Sequence, residues 1–206
     1  MEKINLSETL RKSIHISSIA IPMIYRYVLH FNRKLAISLL IPLTVLFILV
    51  ETFRIRHRTV KKIYQNLFGI ILRKHELSDF TGAVYVMVSA IICIALFPRN
   101  IAFMALSFLA IGDTMAAVAG LSFGKRRLPG SRKSIEGSIG CFVSTFLFGF
   151  IYYIFDPDLG IAMSTLAVGA LAATLAEGWK LALDDNLKIP IIAGIVMYFS
   201  NQIFYY

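Results

Sequence analysis

The chain has 206 residues, of which 57% are apolar or aromatic (AVILMFWYC) and only 16% are charged; its mean hydropathy is +0.72. Roughly a quarter of a typical soluble domain is charged, so this composition excludes a disordered chain, a collagen, a coiled coil and an ordinary soluble globule. A formal net charge of +9 leaves a membrane protein or a nucleic-acid binder, which are told apart by where the charges lie. Cys93 and Cys141 both sit in apolar runs and read as buried thiols rather than a disulfide framework.

A helix needs about 20 mostly apolar residues to cross a bilayer. In chain order the sequence predicts spans over about 13–31, 35–53, 80–97, 101–122, 136–155, 159–176 and 189–206. The first is the most polar, with His15, Arg26 and His30 inside it. Between the second and third, residues 57–74 mix cations with Ile63, Tyr64, Leu67 and Phe68, which reads as either an interfacial helix or a solvated connector. Glu2 and Glu8 precede Arg11-Lys12, and no small-residue cleavage site follows, so the opening segment is not read as a signal peptide. The expected fold is an all-α membrane protein, a single polytopic domain over 1–206 with about seven transmembrane helices.

With the amino terminus placed in the cytoplasm, seventeen of the 21 Lys and Arg fall on the inner side and only Arg26, Arg33, Lys34 and Arg99 outside. The positive-inside rule selects this orientation, so the basic surplus is a matter of topology and calls for no nucleic-acid partner. Only Asp156 and Asp158 of the 12 carboxylates lie in outer loops.

The chemistry gathers on the inner face. Asp113 falls inside a predicted span, where a carboxylate needs a cation, water or a metal; it reads as a structural ion pair or as a site. The small residues of Gly112–Gly120 around it permit close helix approach. Downstream, the run from Gly124 to Gly137 holds Lys125, Arg126, Arg127, Arg132 and Lys133, with Pro129, Gly130 and Ser131. Ser134 reads as the N-cap of the next helix. Cations, a flexible backbone and a helix start suit a polyphosphate, whereas the positive-inside rule alone explains only the charge. Asp184-Asp185-Asn186 are three oxygen donors before the last span; they read as a helix cap or, with Asp113 and Glu136, as ligands of Mg²⁺ or another divalent cation. Lys12 and His15, three apart, share a helical face, and His15 reads as an interfacial residue or a catalyst. Gly120–Arg126 fails as a P-loop, with one residue too few between its glycines and no Ser/Thr after Lys125. Zinc-ligand spacing and the G-x-S-x-G elbow are also missing from the sequence.

These residues carry a resemblance. Gly112-Asp113-Thr114-Met115-Ala116-Ala117, Phe123-Gly124-Lys125 and Leu128–Gly137 resemble the signature of the polyprenol kinase family, which includes dolichol kinase, phytol kinase and CTP-dependent diacylglycerol kinase. Arg11–His15, Glu51 with Arg54, Thr81–Tyr85 and Asp184–Pro190 follow in order, and Lys188 departs from the small hydroxyl residue expected there. The resemblance implies a multi-pass membrane enzyme, of the cell membrane in a prokaryote or an endoplasmic-reticulum-type membrane in a eukaryote. It implies transfer of the γ-phosphate of CTP to a lipid alcohol at the cytoplasmic face, with a divalent metal; no oligomeric state follows from it.

Phosphoryl transfer asks a protein chiefly to position groups and neutralise charge. Lys125, Gly130, Ser131, Arg132, Lys133 and Ser134 are the expected nucleotide contacts, and Asp113, Glu136, Asp184 and Asp185 the expected metal ligands. Asp113, Lys133, Glu136 and His15 are the expected catalytic groups, with Lys12, Glu51, Arg54 and Asn186 as further candidates. The stretch from Asp113 to Gly137 also resembles CTP:phosphatidate cytidylyltransferases, which would attach CMP to a lipid phosphate. A small transporter with Asp113 as its ion site is the non-enzymatic alternative.

Overall fold

The computed structural model describes residues 6–69, 72, 75–131, 133–181 and 183–204. Among these residues it is helical, without strands apart from one isolated bridge between Arg127 and Ser134. The helices are α1 (Leu6–Ile16), α2 (Ala20–Met23), α3 (Arg33–Arg56), α4 (Arg58–Phe68), α5 (Gly82–Leu96), α6 (Arg99–Phe123), α7 (Ile135–Phe155), α8 (Met163–Gly178) and α9 (Asp185–Phe204).

Four of them, α3, α6, α7 and α9, are long and apolar enough to cross a membrane; α5 and α8 are apolar but shorter. This differs from the seven full spans expected, for local reasons. The 15 residues of α5 start after extended Thr81 and stop at extended Phe97, which the following Pro98 keeps out of the helical region. The region 159–162 turns through Gly160 at φ +61° before α8 begins. Residues 13–31 form no continuous helix: α1 tightens to a 3₁₀ turn at Ser17–Ile19, passes through α2 and widens to a π turn at Ile24–Val28. Pro22 lacks the N–H that would bond to the carbonyl of Ser18, so the regular ladder is interrupted there. Residues 205 and 206 of the last predicted span, and 70, 71, 73 and 74 of the predicted interfacial stretch, lie outside the described residues.

Helix α6 is the axis of the bundle. Alternating large and small side chains, from Ile101, Ala102 and Phe103 to Leu109 and Ala110, are buried among α5, α7, α8 and α9. Close approach of α6 and α7 rests on glycine. A Cβ on Gly140 would stand 2.5 Å from the Cβ of Ala119 and 3.0 Å from the carbonyl of Met115, so only a bare backbone fits. Cys93 and Cys141 are buried.

The end of the bundle holding the turn at His30 is closed by an ion pair between Arg26 and Asp156. The guanidinium lies 5.0–5.5 Å from the ring centres of Tyr27, Phe31, Phe103 and Tyr152. That partner explains how an arginine is tolerated inside the first apolar stretch.

Candidate active site

At the opposite end of the bundle, three sets of polar side chains converge from segments far apart in sequence. The first is built on Asp113. Lys12 Nζ donates to Asp113 Oδ2 at 2.5 Å and to its main-chain carbonyl at 3.0 Å. His15 Nε2 stands 3.2 Å from the same Oδ2 without the alignment of a hydrogen bond. Their spacing of three residues on α1 puts both side chains over α6, where Asp113 is buried. The carboxylate thus has the ion pair its depth requires.

The second set joins the basic loop to the start of α9. Lys133 Nζ lies 3.0 Å from Glu177 Oε1 and 2.9 Å from Asp185 Oδ2, and it donates to the carbonyl of Glu177. Burial would pull the Lys133 ammonium below its ordinary pKa, but the carboxylates of Asp185 and Glu177 outweigh burial and raise it. Lys188, itself buried, holds Asp185 Oδ1 at 2.7 Å and the carbonyl of Trp179 at 2.5 Å. Asp184 is the helix cap: its Oδ1 accepts from the Asn186 N–H at 2.9 Å. Asn186 Nδ2 reaches the carbonyl of Gly82 at 3.4 Å, tying α9 to the start of α5.

Among the described residues the basic loop contains a regular turn. Leu128-Pro129-Gly130-Ser131 is a β-turn closed by Ser131 N–H to the Leu128 carbonyl, with Gly130 at φ +66°. Proline followed by a residue of positive φ is the type II pattern. Bonds from Leu128 N–H to Lys133 and from Ile135 N–H to Arg126 make this a short hairpin. Ser134 Oγ caps α7 by accepting from the Gly137 N–H at 3.1 Å, and both oxygens of Glu136 lie 3.3 Å from the Arg126 N–H. Glu136 therefore braces the base of the hairpin. Lys125 is exposed beside it, and Arg132 lies outside the described residues.

The third set is Glu51 with Arg54. The guanidinium, almost fully buried, donates to Glu51 Oε2 and to the carbonyls of Glu76 and Asp79, and it lies 5.0 Å from the Tyr64 ring centre. Thr81 Oγ1 donates to Glu51 Oε1 and the Gly82 N–H to Glu76 Oε1. This network holds the segment 76–82 against α3, so Glu51 and Arg54 shape the site from behind.

A cavity of about 420 Å³ opens between these sets. Lys12, His15, Asp113, Asp185, Asn186 and Glu76 line its polar end, while Ile21, Phe47 and Met87 are among its apolar walls.

The expected metal ligands are each engaged by other groups, and among the described residues no three of His, Cys, Asp and Glu are grouped as a metal cage. Magnesium, however, takes one or two protein carboxylates and completes its shell from substrate phosphates and water. Among the described residues Glu177 Oε2 is buried with no hydrogen-bond partner, and with Asp185 alongside Lys133 it fits that sparse donor set. Glu177 was not among the sequence candidates. Its signal is weak, a lone glutamate at the end of an apolar run, and only the fold shows that Lys133 reaches it.

A model of the cytidylyltransferase family matches residues 2–177. The chain belongs to this family. Within the family's reach, it is 30% identical over 190 residues to an uncharacterised protein of Rickettsia prowazekii, covering 89% of this chain and 90% of that protein. It is 28% identical to a CTP-dependent diacylglycerol kinase of Schizosaccharomyces pombe over 72% of this chain and 73% of the kinase. A chloroplastic protein of Glycine max named as a probable phytol kinase is 30% identical over 66% of this chain and 52% of its own length. No solved structure matches. The sequence resemblance to lipid kinases of the polyprenol kinase type is thereby borne out at the level of relatives.

Proposed function

We propose that the chain is a CTP-dependent lipid kinase that transfers the γ-phosphate of CTP to the hydroxyl of a membrane lipid alcohol. The observation that carries this reading is the meeting of the basic hairpin with the acidic connection of α8 and α9 at Lys133, on the same end of the bundle as Asp113 and His15. Its named relatives favour the kinase over the cytidylyltransferase, since a diacylglycerol kinase and a phytol kinase are named for transfer to an alcohol.

In this reading Lys125, Arg132 and Lys133 take the triphosphate, with the Ser131 and Gly130 turn presenting the hairpin. Lys133 then exchanges part of its carboxylate contacts for phosphate oxygens, which its retained positive charge suits. Glu177 and Asp185 would hold a magnesium ion brought with the nucleotide, which supplies charge neutralisation at the phosphates. The lipid oxygen attacks the γ-phosphorus, the bond to the β–γ bridging oxygen breaks and CDP leaves. His15 Nε2 takes the hydroxyl proton, beside an Asp113 carboxylate that favours the resulting cation. The cytoplasmic orientation rests on the distribution of Lys and Arg, which puts the site where CTP is available.

The test uses detergent-solubilised protein with magnesium, a lipid alcohol (diacylglycerol or an isoprenoid alcohol) or phosphatidate, and CTP labelled at the α- or the γ-phosphate. Label from γ in the lipid is the expected result. Label from α identifies a cytidylyltransferase instead, and label from neither removes both readings.

A further inference from the structure

The kinase reading brings the acceptor hydroxyl to His15 and leaves open where the lipid tail lies. Helix α1 packs on α6, whereas α3 packs on α5 and α4, and the cavity occupies the cleft that this arrangement leaves between α1 and α3. Its lining changes character along its length. Lys12, His15 and Asp113 stand at one end; Ile21 on α2, six residues beyond His15, with Phe47 and Met87, stands at the other. Two polar atoms in this lining, His15 Nε2 and Ser18 Oγ, are buried without a hydrogen-bond partner among the described residues. Such atoms are uncommon in native proteins unless a small polar group meets them. A nucleotide suits this cleft poorly, because much of its wall is apolar and its Lys12 is already paired with Asp113.

We infer that the cleft between α1 and α3 is the acceptor site, entered sideways from the bilayer. It takes a long-chain alcohol with the hydroxyl at His15 and Ser18 and the tail along Ile21, Phe47 and Met87. This rests on the kinase reading for the reaction it serves, but it concerns binding and is tested by binding. A hydroxyl on a hydrocarbon tail is common to diacylglycerols and isoprenoid alcohols, so the cleft recognises that shared chemistry.

The experiment is photolabelling of the full chain in detergent, without nucleotide. One arm uses a diacylglycerol carrying a diazirine in its acyl chain, the other an isoprenoid alcohol carrying one in its tail, and labelled peptides are mapped by mass spectrometry. Label on α1, on the Phe47 turn of α3 or on the first two turns of α5, competed by the same lipid unlabelled, is the expected result, and the arm in which it appears names the source. Ala83, exposed on the cleft wall, provides a plugging variant that leaves the core intact. Ala83→Trp is expected to reduce labelling about tenfold and, in the kinase assay, to raise KM for the lipid about tenfold with KM for CTP unchanged. Label confined to other helices, or undiminished in Ala83→Trp, overturns the inference even if γ-phosphate transfer is intact. Failure of all transfer with cleft labelling retained overturns the kinase reading instead.

Discussion

The Lys12–Asp113 pair decides how α1 is attached to the bundle. Both side chains are about nine-tenths buried, so removing one charge strands the other in a low-dielectric environment, at a cost of about 3–5 kcal/mol. Asp113→Asn and Lys12→Met should each lower the melting temperature in detergent, while the double variant recovers much of the loss. Additive losses in this cycle would show that the pair is uncoupled. Lys133 differs in kind. Its side chain is 29% exposed, and its raised pKa makes its ion pairs fully effective below the ordinary lysine value of 10.5, with the contribution lost only as pH rises through the folded-state value. It is thus a cation at working pH and unsuited to proton abstraction.

At the scale of elements, the contact of α6 with α7 is set by bare backbone. Gly140→Leu should separate the two helices and lower the melting temperature by several degrees, because an added Cβ meets Ala119 and a main-chain carbonyl rather than a mobile side chain. A variant that melts like the wild type would show that α7 can shift at no cost. Much of this element order is legible in the sequence, since apolar runs end where prolines, glycines and charges begin. The extent of α3, α6 and α7 follows from that, as does the Ser134 cap. What the sequence conceals is tertiary. A periodicity argument sees the apolar character of 13–31 but not that Pro22 and the following π turn divide it. It sees Glu51 and Arg54 one turn apart but not the carbonyls of Glu76 and Asp79 that complete the guanidinium's bonds. Glu177 is hidden for the same reason, since its partner is 44 residues away.

Across the whole molecule, charge is sorted by end. One end carries the partly buried pair of Arg26 with Asp156, surrounded by aromatic rings; the other carries Asp113, the hairpin and the α8–α9 connection. Helix α6 spans the distance between them and is buried along most of its length, so it provides a rigid axis against which α1 and the hairpin are fixed. The four long apolar helices suit the molecule to the bilayer, and the start of the shorter α5 lines the cavity. That geometry sets the basic hairpin at the same end of the bundle as the cleft with apolar walls, and the proposed kinase of membrane alcohols would need both. The most direct test of this account is transfer of γ-label from CTP to a lipid alcohol by the wild type and by Lys133→Ala at matched folded fraction. The account predicts γ-label in the wild-type lipid product and a loss of about a hundredfold or more in the variant, whereas undiminished transfer by Lys133→Ala would contradict it.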